Sequence, residues 1–368
     1  MQNRATGIAR AAARLVRVVT PSLVLFTCLL APAAPIDAQS RNLDIYFIDV
    51  EGGGATLVVS PSGESLLIDS GFQRPDDRDA KRIHAVTRKA GLKRIDYHMV
   101  THFHADHVGG LTALGNMIPI VRFFGHGGRA ESGDVGKGIP GVQEWMDTYQ
   151  KVSEGKRTIL QLGDELPLKG VRVQVITANK AFLAKPVNGG GATNVLCADA
   201  EHKPPDSLEN QRNIATLFTY GRFTYFNPGD TPWETELALS CPANKLGTVT
   251  LYQTTKHGAF DGGGAPAHLY ALKPQAVVVT NGPNKGLGIP GGHGHYERIA
   301  AIPGVEGIWQ GHMSPEGKEH NTREEMIANL ETNPDHTQVY FIKASASQDG
   351  TLTMTNTRNG LTKTYTPR

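Results

Sequence analysis

Apolar and polar positions alternate in short runs along most of this chain, and the alternation predicts strands. Residues 43–50, 55–60 and 65–69 form three such runs, parted by the turn clusters Gly52-Gly53-Gly54 and Pro61-Ser62-Gly63, which predicts an antiparallel meander. Residues 77–90 change to helical spacing, with Ile83, Val86 and Ala90 on one face and Gly91 as the stop. A strand over 97–101 follows. Val142, Trp145, Met146, Tyr149 and Val152 recur at three- and four-residue steps, so 142–153 is read as a second core-facing helix. Further strands are expected at 171–177, 214–220, 223–226, 249–253 and 276–280, with a polar, Gly- and Pro-containing insert at 185–206. Beyond Asn333-Pro334, runs at 338–343, 351–356 and 361–365 are separated by Gly-containing turns and predict a terminal meander.

There is no internal repeat, long linker or low-complexity segment. Residues 42–335 are therefore read as one α/β domain, with 336–368 as a β meander packed on it. The first 38 residues differ from the rest: Arg4, Arg10, Arg14 and Arg17 precede an apolar run, 23–30, and then a small-residue stretch. That is the layout of a cleaved signal peptide. The run is too short to cross a bilayer, which needs about 20 residues, so no membrane span is retained.

Export changes how charge and cysteines are read. Residues 1–38 hold four of the 37 basic side chains and one of the 35 acidic ones, so the formal charge moves from +2 to about −1 without them. A near-neutral chain gives no support to a nucleic-acid or anionic-membrane partner, whose binding depends on clustered positive charge. Cys28 goes with the leader, and the remaining pair, Cys197 and Cys241, is expected to form a disulfide in a periplasmic or secreted protein.

The chemistry concentrates in Thr101-His102-Phe103-His104-Ala105-Asp106-His107, three imidazoles and a carboxylate within six residues after an apolar strand. Imidazole nitrogen and carboxylate oxygen suit zinc and similar divalent ions, and alternation at 102 and 104 points two rings the same way. Asp106 and His107 stand where a helix should begin, so they project differently and can serve a second ion.

The His-x-His-x-Asp-His spacing of 102–107 resembles the metallo-β-lactamase superfamily. The resemblance spans about 44–282 and implies a four-layer αβ/βα sandwich with two metal ions at one edge, between the sheets. It implies that Asp69, in Leu66-Leu67-Ile68-Asp69-Ser70-Gly71, orients histidine ligands. It also implies that Asp230, in Asn227-Pro228-Gly229-Asp230, bridges the metals and that His257, in Thr255-Lys256-His257-Gly258, is the last histidine ligand.

One element departs from the family. Where most members place a third histidine for the first metal, this chain has Glu209-Asn210-Gln211-Arg212-Asn213. That stretch, with the Asn281-Gly282 loop, is similar to the branch containing the metallo-hydrolase domain of bacterial competence DNA-uptake channels and its secreted relatives. Asn210 or water completes the sphere, or His126 or His202 replaces the ligand from elsewhere. His293 and His295, in Gly291-Gly292-His293-Gly294-His295, stand as candidate substrate-side residues.

The implied activity is metal-dependent hydrolysis by a hydroxide shared between two divalent ions, with Asp106 or Asp230 moving the proton to the leaving group. Zinc is the first choice, with iron and manganese equally compatible with the donor types. No Gly-x-Ser-x-Gly elbow, phosphate-cradling loop or dinucleotide-binding fingerprint competes. The branch ranks a phosphoric ester first as substrate and a β-lactam or lactone second. A non-catalytic metal- or ligand-binding protein is the reading from another class. Oligomeric state stays open.

Overall fold

Strands with both faces apolar can be buried only between two layers, and this chain builds two such sheets. The structure, a computed structural model, describes residues 42–127, 141–259, 262–288, 294–315, 318–331 and 338–368. The expected signal segment, His293 and the side chain of His295 lie outside the described residues. Those that are described belong to one compact unit, Ser40–Arg368.

The first sheet begins with β1 (Leu43–Ile48), β2 (Thr56–Val59) and β3 (Ser65–Ile68), antiparallel as the turns dictated. It continues in parallel through β4 (Ile95–Met99), β5 (Ile120–Gly125) and β6 (Arg157–Ile159). The second sheet takes β7 (Glu165–Leu166), β8 (Arg172–Ala178), β9 (Ala181–Phe182), β10 (Ala215–Tyr220) and β11 (Phe223–Asn227), all antiparallel. It then runs parallel through β12 (Leu251–Gln253), β13 (Ala276–Val279), β14 (Gly307–His312) and β15 (Ile327–Asn329). β16 (Phe341–Ala346), β17 (Leu352–Asn356) and β18 (Thr362–Tyr365) return to the first sheet, because β16 pairs with β1. The terminal meander is thus the outer edge of that sheet.

Side-chain alternation distributes each strand over two cores. Ile45 and Phe47 face the second sheet's Val173, Phe218, Tyr225 and Leu251, whereas their neighbours Tyr46 and Ile48 face outward. On that outer face lie Arg78–Lys89, Leu111–Met117 and Val142–Val152, docked through Ile83, Leu114, Met146 and Tyr149. Behind the second sheet, Trp233–Ser240, Pro266–Leu272 and Gly294–Ala300 cover Leu217, Phe226 and Val277. Helix, sheet, sheet, helix is the expected four-layer αβ/βα sandwich. Among the described residues no helix is long and apolar enough to cross a membrane.

Several elements differ from the pattern reading. The strand expected at 97–101 is Ile95–Met99, so His102 and His104 stand on the loop beyond it. The first terminal strand is Phe341–Ala346, three residues later than expected, because pairing with β1 sets its register. β14 escaped the reading because Gly, Gln and His interrupt its apolar residues, although all six positions are buried. Cys197 and Cys241 form the expected disulfide, with Cα atoms 5.6 Å apart, tying the 185–206 insert to the end of Trp233–Ser240.

Candidate metal centre

Parallel strands deliver their C-terminal ends to one rim, and the chemistry collects there. Asp69 follows β3, His102 and His104 follow β4, Asp230 follows β11 and His257 follows β12. Ala105–Val108 forms a single helical turn after His104, and the His107 ring comes back to the same rim, its centroid 4.1 Å from that of His102. Three rim residues, Asp69, Lys256 and His257, hold φ values of 62°, 49° and 57°, in the left-handed region that L-residues rarely enter.

Two groups of donor atoms result, each lying within 4.8 Å: Asp106, His107, Asp230 and His257, and His102, His104 and Asp230. Asp230 belongs to both. Its Oδ1 is 3.5 Å from His107 Nε2 and from His257 Nε2, and its Oδ2 is 3.9 Å from His102 Nε2. Asp106 Oδ2 is 3.3 Å from His107 Nε2 and 3.2 Å from His257 Nε2. Tetrahedral bonds of about 2.0–2.1 Å place neighbouring donors about 3.3 Å apart, so the four-donor group has the size of a zinc-like ion. Asp230 Oδ1 is buried with no hydrogen-bond donor among the described residues. Such a carboxylate oxygen is costly to bury unless a cation meets it, so the donor set fits a bound metal.

The histidines are oriented from behind. His107 Nδ1 lies 2.8 Å from Asp69 Oδ2, and Thr101 Oγ1 donates to the same oxygen at 2.9 Å while standing 3.1 Å from His102 Nδ1. This network assigns the Nδ1 protons and leaves both Nε2 atoms turned to the cleft. Gly54 is required here, since a Cβ would sit 2.7 Å from Asp69 Oδ2 and 2.8 Å from His107 Nδ1. Asp230 is held through its own N–H, which donates to Asn213 Oδ1 at 2.9 Å, while Asn213 Nδ2 donates to Pro228 O at 2.7 Å.

Charge in the cleft sets protonation. Burial pushes His102 well below the usual imidazole range, helped by His107 and His104, and burial likewise lowers His104. For His107 burial acts in the same sense, but Asp106, Asp69 and Asp230 outweigh it and hold the ring well above that range. Burial works to raise Asp106 and Asp230, yet both fall well below the carboxylate range, Asp106 through Lys285 and His107 and Asp230 through His107 and His257.

The remaining candidates divide. His126 gives Nε2 to Glu209 Oε1 at 2.8 Å and belongs to neither donor group. His202 is exposed and pairs with Glu234 at 3.0 Å. Asn210 Nδ2 donates to Asp206 Oδ1 at 3.0 Å, while its buried Oδ1 meets no donor among the described residues.

Comparison with known proteins agrees with this assembly. Residues 49–166, which hold Asp69 and the whole 102–107 motif, match the model described as Metallo-beta-lactamase superfamily. Over that stretch the chain is similar to the superfamily. No curated protein matches it. Among solved structures, MEM-A1, a subclass B3 metallo-beta-lactamase isolated from a soil metagenome library, aligns at 15% identity and a TM-score of 0.33. The alignment covers 51% of this chain and 60% of MEM-A1, so the chain spans less than two thirds of that relative. The metallo-beta-lactamase fold protein YhfI from Bacillus subtilis aligns at 12% identity and a TM-score of 0.40, covering 73% of this chain and 95% of YhfI. CmlA, a diiron beta-hydroxylase from Streptomyces venezuelae, aligns at 12% and 0.39, covering 72% and 47%.

Sequence reasoning missed four residues of the centre. Thr101 adjoins the motif, yet nothing in its type marks it as the link between Asp69 and His102. Glu209 accepts the Phe103 N–H at 2.6 Å and so fixes the peptide between His102 and His104; it stood in the very stretch searched for a histidine. Asn213 ends that stretch. Lys285, whose Nζ pairs with Asp106 Oδ2, lies in the loop already noted at Asn281-Gly282.

Proposed function

We propose that this chain is an exported hydrolase that holds two divalent cations and cleaves phosphoric esters. Asp106, His107, Asp230 and His257 would hold one cation, and His102, His104 and Asp230 would hold the other. The observation that carries the reading is Asp230, which turns one oxygen to each donor group. Asn210, through its buried Oδ1, or water completes the three-donor group. Zinc suits the donor types and spacing best, with iron or manganese as the alternatives.

Bound there, the cations would supply Lewis acidity and lower the pKa of water to about 7. The chain does the rest. Asp69 and Thr101 keep the His107 and His102 rings from turning, and Glu209 keeps the peptide between His102 and His104 in place. Asp106 and Asp230, both held in the anionic form, can accept the proton of the attacking water and return it to the leaving group. Export rests on the Arg-led apolar leader and on the Cys197–Cys241 disulfide. The phosphoric ester rests on the Asn-bearing stretch at 209–213.

The test is reconstitution of the full chain with Zn2+, Fe2+ or Mn2+, followed by assay against a chromogenic phosphodiester, a lactone and a cephalosporin. Phosphodiester turnover with two ions per chain is the expected result. Turnover of the lactone or cephalosporin alone would replace the substrate class, and bound metal with no turnover would leave a binding protein.

A further inference from the structure

Lys285 is an unusual neighbour for a metal centre. Its ammonium pairs with Asp106 Oδ2, the oxygen that also faces His107 and His257, and among the described residues no other lysine or arginine pairs with Asp106 or Asp230. The position is built. Gly282 N–H donates to Lys285 O at 3.1 Å, closing a tight turn, and a Cβ at Gly52 would lie 2.7 Å from Lys285 Cβ, so the turn sits close on residues 51–52. A Cβ at Gly282 would lie 2.2 Å from Glu51 O, so only glycine allows the seating. Glu51 itself is tied to Arg78 and Arg82, each at 2.8 Å. The Phe72 ring lies 5.4 Å from the ammonium, and the side chain keeps 37% of its surface exposed, so Lys285 joins the buried centre to solvent.

Charge decides what such a lysine can do once the centre is filled. Asp69, Asp106 and Asp230 bring three negative charges, and Glu209 is offset by Arg212 at 3.3 Å. Two divalent cations and Lys285 then leave the cleft at about +2. Like charges this close repel unless an anion lies between them. We propose that Lys285 is the anion-recognising residue of the centre, and that the substrate carries a negatively charged oxygen group beside the bond that breaks. This rests on the metal-hydrolase reading above and sharpens it, because a phosphodiester meets the requirement and a neutral lactone does not.

Inorganic phosphate is the probe, titrated calorimetrically into the metal-loaded full chain. Lys285→Met should weaken phosphate binding about 10- to 100-fold, and Lys285→Arg should restore most of it. Metal content, measured in parallel, should stay at two ions in both variants, which separates lost recognition from a lost centre. Phosphate bound as tightly by the metal-loaded Lys285→Met chain as by wild type overturns the proposal. The two readings fail separately. A wild type that turns over only the cephalosporin, whose carboxylate is anionic, sinks the phosphoric-ester substrate and leaves Lys285 its anion, whereas unchanged phosphate binding in Lys285→Met sinks the role of Lys285 whatever substrate is used.

Discussion

The two donor groups of the centre are built to different standards. Asp106, His107, Asp230 and His257 are all buried, and their donor atoms are spaced for a tetrahedral ion. The group of His102, His104 and Asp230 has three donors and a partly open histidine, and no third imidazole joins it among the described residues. A complete set of donors holds an ion without help, whereas an incomplete one depends on water or an amide to finish the sphere. The four-donor side should therefore bind first and release last.

Removing what the groups share should erase the contrast. Asp230→Asn is expected to bring metal content below one ion per chain and to abolish measurable hydrolysis, read by elemental analysis and assay. His104→Ala should expose the contrast instead: one ion is lost, one stays, and turnover falls about 100-fold or more. Equal loss of both ions in that variant would refute the ranking.

Asp69→Asn probes both groups from behind, because Asp69 steadies His107 directly and His102 through Thr101. Metal affinity should fall about 10- to 100-fold, measured by chelator competition. A smaller effect is expected on the four-donor side alone. Glu236 is buried beneath the loop that follows His257, accepts N–H bonds from Gly264 and Ala265, and burial pushes its carboxyl up to about 8 from 4.5. Between those values the folded chain keeps a proton that the unfolded chain has lost, so stability falls as pH rises through that window. Glu236→Gln should flatten this fall in Tm between pH 5 and 8. An unchanged slope would show that the loop does not depend on a neutral Glu236.

Legibility followed distance along the chain. The 102–107 motif was readable because four ligand-type residues lie within six positions, and local spacing forces them to one rim. Asp230 and His257, far apart in sequence, were recognisable only through resemblance, since an aspartate after Pro-Gly or a histidine on a loop carries little signal alone. Glu209 acts on a backbone N–H 106 residues away, and Lys285 on a carboxylate 179 residues away. Neither partner leaves a periodic trace.

The sequence by itself determined the two-faced strands, the helices at 78–89 and 142–152, the cysteine pair and the first four metal-compatible side chains. Each depends on period, turn chemistry or residue type, which are properties of neighbouring positions. Tertiary structure alone decided that β16 extends the first sheet through β1, that Asp230 serves both donor groups, and that Lys285 reaches Asp106. Those outcomes depend on how two sheets pack and on which loops their parallel strands bring to a common edge, and no stretch of neighbouring residues encodes that.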